Sequence, residues 1–294
     1  MEARIKGTTG LMMLIGSPVG HSGSPAMYNF SFQHHGLDYA YMAFDIKEDQ
    51  VSAALDAMRL LKMRGGNVTM PCKTEAAKHM DELSPAARII GAVNTIVNED
   101  GKLVGHITDG VGFVRNLHEH GVDVAGKKLV ILGAGGAATA VQVQCALEGA
   151  KAISIFNADD PFLARAHSTA EKLKTEMPEC DVQVFCLDGQ DQLKKEVESA
   201  DILVNATLVG MKPHDDQSLI TDMSIFRPDL VVADVVYNPM ETKLMREAKE
   251  AGCEKVIGGS GMLLWQGAAA FKLFTGLEMP TEEYQKFQEE NAAK

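Results

Sequence analysis

Leu129-Val130-Ile131-Leu132-Gly133-Ala134-Gly135-Gly136-Ala137 is the stretch on which the fold turns. Its apolar start reads as a buried strand, its glycines permit a tight turn, and the run from Ala137 to Leu147 reads as a helix. Strand, glycine turn and helix in that order suit a dinucleotide. Glycine lets backbone N–H groups approach a pyrophosphate, and the helix N-terminus favours its charge. Gly133, Ala134, Gly135, Gly136 and Ala137 are therefore candidate cofactor-binding residues. A ligand-free turn would use the same glycines, so the flanking sequence has to weigh in.

Downstream, strand-like runs at Ala152–Phe156, Val182–Leu187, Ile202–Val204 and Leu230–Val236 alternate with helical ones at Pro161–Leu173 and Asp191–Val197. Such alternation implies a parallel sheet with helices on both faces. The second strand should end near the adenosine ribose, and it ends at Asn157-Ala158-Asp159-Asp160. A carboxylate there can accept hydrogen bonds from the ribose hydroxyls of NAD. At close range it would repel the 2′-phosphate of NADP by about 4 kcal/mol per charge. No arginine directly follows Asn157, so the expectation is NAD over NADP, with Asn157, Asp159 and Asp160 at the adenosine end. Whichever aspartate does not reach the ribose can cap the helix that opens at Pro161.

Upstream, Leu11–Ile15, Pro25–His35, Tyr39–Ile46 and Asp49–Leu61 read as strand, helix, strand and helix. Residues 92–98 and 103–107 flank Asn98-Glu99-Asp100-Gly101, a hairpin signal, and a helix is expected over Val111–His120. In Asn67-Val68-Thr69-Met70-Pro71-Cys72-Lys73, glycines mark the start of a strand and Pro71 ends it. A helix is expected from Lys73 to Met80. At its positive end an ammonium would lose its proton more readily than in water, which suits proton transfer, although an arbitrary lysine is usually just solvated. Gly20-His21-Ser22-Gly23-Ser24-Pro25 sets two hydroxyls before a helix with proline at its start. Ser24 alone would serve as an N-cap; with Ser22 and the unpaired N–H groups it also makes a neutral receptor for a carboxylate. Asp109 either caps its helix or meets Lys73 as a proton-transfer dyad. After Val236 the chain ends in helices at Gly261–Thr275 and Pro280–Ala292.

The 294 residues suffice for two modest domains. Hydrophobic and charged contents of 46% and 23% are those of an ordinary soluble globular protein. A net charge of −12 argues against nucleic acid and against anionic lipid as partners. No run approaches a membrane span, and no signal-peptide pattern precedes the first strand, which Met1-Glu2-Ala3-Arg4 leads almost directly into. Five scattered cysteines without metal-type spacing fit free thiols in a reducing cytoplasm, and no metal site is expected.

Taken in order, seven segments resemble the shikimate/quinate dehydrogenase family over essentially the whole chain. They are His21-Ser22-Gly23-Ser24-Pro25, Asn67 to Lys73, Gly91-Ala92-Val93-Asn94-Thr95, Thr108-Asp109-Gly110, Gly133 to Ala137, Tyr237-Asn238-Pro239 and Gly261-Met262-Leu263-Leu264-Trp265-Gln266. The resemblance implies an α/β fold of two domains: an N-terminal α/β substrate domain (1–111 plus 258–294) and a Rossmann-type, doubly wound dinucleotide domain (112–257). The C-terminal helices would return to the first domain. It implies that Lys73 and Asp109 are the catalytic pair, and that Ser22 and Ser24 hold the substrate carboxylate. Thr69, Asn94, Asp109 and Gln266 would hold the ring hydroxyls, with Tyr237 at the pocket between domains. Thr207, Met211, Val235, Tyr237 and Gly259 would lie along the nicotinamide. The implied substrates are shikimate, quinate or their 3-dehydro forms, and the resemblance leaves a homodimer open. Two positions depart from the family. Ile107 stands where an asparagine is usual, which removes one polar contact near the dyad without touching Asp109. Ala158 stands where NADP-using members carry arginine and, with Asp159 and Asp160 following, resembles the NAD-using branch. The alternative is a shikimate- or quinate-binding sensor that no longer turns over, against which the joint presence of Lys73, Asp109 and the glycine turn argues.

Overall fold

The computed structural model describes residues 5–292, so Met1 to Arg4 lie outside the described residues. By contacts the chain forms two units. One holds the described residues up to Thr108 together with those from Gly267 onward; the other is Asp109–Gln266. These breaks fall at 108/109 and 266/267 instead of the expected 111/112 and 257/258.

The first unit contains β1 (Gly10–Gly16), α1 (Ser24–His34), β2 (Tyr39–Asp45), α2 (Val51–Leu60), β3 (Gly65–Val68), α3 (Lys73–Ala77), β4 (Glu82–Leu83), α4 (Pro85–Ile90), β5 (Thr95–Glu99) and β6 (Lys102–His106). The second contains α5 (Asp109–Glu119), β7 (Lys128–Leu132), α6 (Gly136–Leu147), β8 (Ala152–Asn157), α7 (Pro161–Glu176), β9 (Asp181–Cys186), α8 (Gln190–Glu198), β10 (Ile202–Asn205), β11 (Val231–Asp234), α9 (Lys243–Glu250) and β12 (Lys255–Ile257). Helix α10 (Ser260–Thr275) begins in the second unit and ends in the first, which also takes α11 (Thr281–Ala292).

The first sheet has the order β2-β1-β3-β5-β6-β4. β1 runs parallel to β2 and β3, whereas β5 is antiparallel to β3 and β6. The β5–β6 turn is Asp100-Gly101, both with positive φ, which matches the twist of a tight hairpin. Expectation and structure differ at β3. Gly65 and Gly66 lie inside this strand, and Thr69-Met70 lies beyond it. The glycines are needed for approach, because a Cβ at Gly65 would strike the Ile96 carbonyl and one at Gly66 the Met13 carbonyl. Helix α3 stops at Ala77, short of Met80, because the N–H groups of Lys78 and His79 turn back on Glu75 and Ala76. Helix α4 escaped the sequence reading, although Ser84 accepts from the Ala87 N–H ahead of Pro85 as an N-cap should.

Tyr28, Phe32 and Phe271 are buried, and Phe30 of α1 packs against Tyr284 and Phe287 of α11 at centroid distances of 5.6 and 4.8 Å. The C-terminal helices thus return to the first unit. The fully buried rings, Tyr28, Phe32 and Phe271, contribute about 1.5–3 kcal/mol each by leaving water.

The second sheet is wholly parallel, with the order β12-β11-β10-β7-β8-β9. That is the doubly wound arrangement, in which direction reverses between β7 and β10 and ligands bind past the strands' carboxyl ends. Its interior strands are continuous apolar runs, as burial on both faces requires. β12 and α9 lay below the reach of sequence pattern: one has three residues and the other eight.

Candidate active site

The carboxyl edge of the parallel sheet gathers the cofactor candidates. Gly133 follows β7 with φ +107°, and a Cβ there would lie 2.9 Å from Thr207 Cγ2 and 3.0 Å from the Ala206 carbonyl. Its N–H donates to the Phe156 carbonyl at 2.7 Å, and its own carbonyl accepts from Gln142 Nε2 at 2.9 Å. Gln142 is fully buried on α6, so the glycine turn is braced from beneath. A Cβ at Gly135 or Gly136 would meet no atom within 4 Å, and no side chain caps α6. The leading N–H groups of α6 are thus open to an anion, as a pyrophosphate requires. Ala134 is buried and Ala137 exposed.

Across the reversal, Thr207 N–H and Oγ1 both donate to Asn205 Oδ1. Val235 N–H donates to the Asn205 carbonyl at 2.9 Å, and Gly259 N–H to the Val236 carbonyl at 3.2 Å. Gly259 admits no side chain because the Val235 carbonyl occupies the Cβ position. Met211 is half-buried, with its N–H on the Leu208 carbonyl; Tyr237 is about half exposed.

At the end of β8, Asn157 is buried and donates to Asp160 Oδ1 and to the Ala158 carbonyl, both at 2.8 Å. Asp160 Oδ1 also accepts from the Phe162 N–H, so Asp160 is the N-cap of α7. Asp159 is exposed.

In the first unit, Ser24 is the first residue of α1, with Gly23 at the cap position and no side-chain cap bond. Its hydroxyl therefore does not serve as the N-cap, which was one of its two expected roles. Ser22 Oγ accepts from the Ser24 N–H at 3.3 Å. Thr69 N–H donates to the Ile15 carbonyl, and the Thr69 carbonyl accepts from Cys72. Lys73 opens α3, half-buried, and its carbonyl accepts from the Val93 N–H at 3.0 Å. This bond ties Lys73 to the segment carrying Asn94. The five-residue α3 offers only part of the dipole expected of a helix reaching Met80.

Asn94 is 3% exposed and fixed on every side. Its Oδ1 accepts from the Thr108 N–H and Thr95 Oγ1 at 2.9 Å, and its Nδ2 donates to Thr108 Oγ1 at 3.1 Å. Beneath it lies a layer that the sequence reading missed. Tyr41 Oη donates to Asn67 Oδ1 at 2.7 Å, and Asn67 Nδ2 donates to Thr95 Oγ1 and to the Asn94 carbonyl at 3.1 Å. Burial pushes the Tyr41 phenol well above its ordinary pKa, so it stays a neutral donor. An amide among glycines and β-branched residues is the signal that pointed here. Tyr41→Phe is expected to cost about 1–3 kcal/mol, because Asn67 Oδ1 loses a donor while buried. A lower urea midpoint with unchanged cofactor affinity would bear this out.

In the second unit, Asp109 is the first residue of α5, and the expected start at Val111 was two residues late. Gln266, on α10, donates to the Leu263 carbonyl at 3.1 Å. A Cβ at Gly112 would lie 2.5 Å from Gln266 N and from the Met262 carbonyl, so α5 and α10 meet backbone to backbone. Asn116 Nδ2 adds a bond to the Gly258 carbonyl at 2.9 Å. The helices bearing Asp109 and Gln266 are thereby locked to each other. Ile107, next to the Thr108-Asp109 step, is buried. Among the described residues no His, Cys, Asp and Glu cluster could hold a metal ion.

A family model for the shikimate dehydrogenase substrate binding domain matches residues 14–96, and one for the shikimate 5'-dehydrogenase C-terminal domain matches residues 259–283. Shikimate dehydrogenase (NADP(+)) of Listeria innocua is 49% identical over 279 residues, covering 95% of each chain. The chain belongs to the shikimate/quinate dehydrogenase family. Among solved members, shikimate 5-dehydrogenase from Listeria monocytogenes, in complex with shikimate and NAD, superposes with a TM-score of 0.95. It is 47% identical and covers 98% of this chain and 99% of its own. Quinate dehydrogenase from Corynebacterium glutamicum, in complex with NAD, gives 0.84 at 31% identity, covering 95% and 98%.

The family relationship corrects the cofactor expectation. Curated relatives at 48–50% identity are named as NADP(+) enzymes, so the preference for NAD over NADP does not stand, although the L. monocytogenes structure holds NAD. The physical reason lies in the two aspartates. Asp160 serves as a helix cap, and the exposed Asp159 is screened by solvent, whereas the repulsion argument assumed a fixed carboxylate at close range.

Proposed function

We propose that this chain is an NADP-dependent shikimate dehydrogenase that reversibly oxidises one ring hydroxyl of shikimate to the ketone, 3-dehydroshikimate. We further propose that it accepts quinate, giving 3-dehydroquinate. The observation that carries this reading is the presence of the whole residue set, from Ser22 to Gln266, on a chain matching a shikimate dehydrogenase over 95% of its length. The quinate reading is supported by the similarity to a quinate dehydrogenase.

Shikimate is an anion, and on this reading Ser22, Ser24 and the start of α1 hold its carboxylate without a cation. Thr69, Asn94, Asp109, Tyr237 and Gln266 hold the ring hydroxyls. The pyrophosphate of the dinucleotide is held by Gly133 to Ala137, with Asn157, Asp159 and Asp160 towards its adenosine. Thr207, Met211, Val235, Tyr237 and Gly259 flank its nicotinamide, which when bound supplies the hydride acceptor. Oxidation removes a hydride from the hydroxyl-bearing carbon and a proton from its oxygen. Lys73 takes that proton and returns it in the reverse direction, while Asp109 orients the reacting hydroxyl and holds the Lys73 ammonium. The five cysteines, all unpaired, fit a reducing compartment, and we place the enzyme in the cytoplasm.

Steady-state kinetics with shikimate and quinate, each against NADP and NAD, test the assignment. The highest kcat/KM is expected for shikimate with NADP and a lower one for quinate. Failure to turn over either acid with NADP would overturn it.

A further inference from the structure

We propose that Asp234 is a positioning residue for the nicotinamide end of the cofactor site, an inference that rests on the dehydrogenase reading above. Asp234 closes β11 at 2% exposure, between the buried Ala233 and the half-buried Val235. A carboxylate there is costly unless its oxygens are satisfied. Its hydrogen bonds come from dipoles. Oδ1 accepts from the Val236 N–H at 2.9 Å and from Asn205 Nδ2 at 3.0 Å, and Oδ2 accepts from Thr242 Oγ1 at 2.7 Å. Burial raises its pKa, and these three donors oppose the rise.

Each donor leads to a segment of the site. Asn205 also donates to the Val209 carbonyl at 3.1 Å, and its Oδ1 takes both the N–H and the hydroxyl of Thr207. Thr207 Oγ1 in turn accepts from the Val209 N–H at 3.1 Å. The loop that starts at Thr207 and reaches Met211 is thus fastened to Asp234 through one amide. The Val236 bond fixes the turn carrying Val235 and Tyr237, and Gly259 N–H lies on the Val236 carbonyl. Thr242 caps α9 by accepting from the Met245 N–H, which anchors the far end of that turn. Thr207, Met211, Val235, Tyr237 and Gly259 therefore share one buried anchor that itself stays behind the surface. A lone carboxylate inside the apolar run Leu230–Val236 is the sequence signal for it.

NADPH affinity by fluorescence titration and shikimate affinity by calorimetry without cofactor test the proposal on the full chain. Asp234→Ala is expected to weaken NADPH binding on the order of 10–100-fold, the scale on which losing a supporting residue behind a ligand site lowers affinity, with shikimate affinity unchanged. Asp234→Asn should recover most of the loss, since its oxygen keeps both N–H donors and its amide can donate to Thr242. Asn205→Ala cuts the same link from the loop side, so it should weaken NADPH binding too and add little to Asp234→Ala in the double variant. Should Asp234→Ala lose its fold, Asn205→Ala carries the test alone. Wild-type NADPH affinity in the variant that folds would overturn the proposal, as would equal weakening of NADPH and shikimate, which marks a general structural role. A wild-type protein that binds no NADPH would instead overturn the dehydrogenase reading.

Discussion

Lys73→Ala is expected to lower kcat for shikimate oxidation by roughly 10²–10⁴-fold, the usual worth of a positioned general acid–base group. Folding should survive. Lys73 is only half-buried, and the bond from the Val93 N–H to the Lys73 carbonyl belongs to the backbone and persists in any variant. Shikimate binding measured without turnover should change far less than kcat, because Ser22, Ser24 and Asn94 stay in place. A variant with wild-type kcat and an intact fold would remove Lys73 from the mechanism. The test is informative because the lysine's setting alone is modest: a five-residue helix and half exposure do not by themselves mark a catalytic group.

The second large effect is expected from Gly112→Ala, far smaller as a chemical change. The new methyl group would sit 2.5 Å from Gln266 N and the Met262 carbonyl, which are backbone atoms of a long helix and cannot yield singly. Helices α5 and α10 must part, at about 1–3 kcal/mol. Asp109 lies one turn before Gly112, and Gln266 is at the point of contact, so both are displaced together. On the proposed mechanism kcat/KM for shikimate should fall on the order of 10²-fold, as displacements of about 1 Å do, while NADPH affinity holds. Unchanged shikimate kinetics would mean that neither side chain depends on this helix pair.

What could be read in the chain beforehand followed the strength of local signals. The strand–glycine–helix unit at 129–147 combines a buried strand, a positive φ and an uncapped helix start, each with its own mark in sequence, and it stands as read. Lys73, Asp109 and the serine pair were legible as residue types in ordered segments. The bonds that hold Asn94 were not. Tyr41, Asn67, Thr95 and Thr108 come from β2, β3, β5 and the segment after β6, and only the register of the sheet brings them together. Gly65 and Gly66 look like punctuation in sequence, because a glycine that permits close approach looks the same there as one that permits a turn. The aspartates after Asn157 misled for a related reason. A carboxylate near a ribose and a helix cap share one sequence pattern, and Asp160 accepts from Phe162 N–H as a cap.

The central claim, that this chain uses NADP to oxidise shikimate, is tested most directly by mixing the protein with shikimate and NADP and following the absorbance of the reduced nicotinamide. The expected result is steady cofactor reduction that matches 3-dehydroshikimate formed one for one and reverses when 3-dehydroshikimate and NADPH are supplied. Shikimate binding without any cofactor reduction would contradict it.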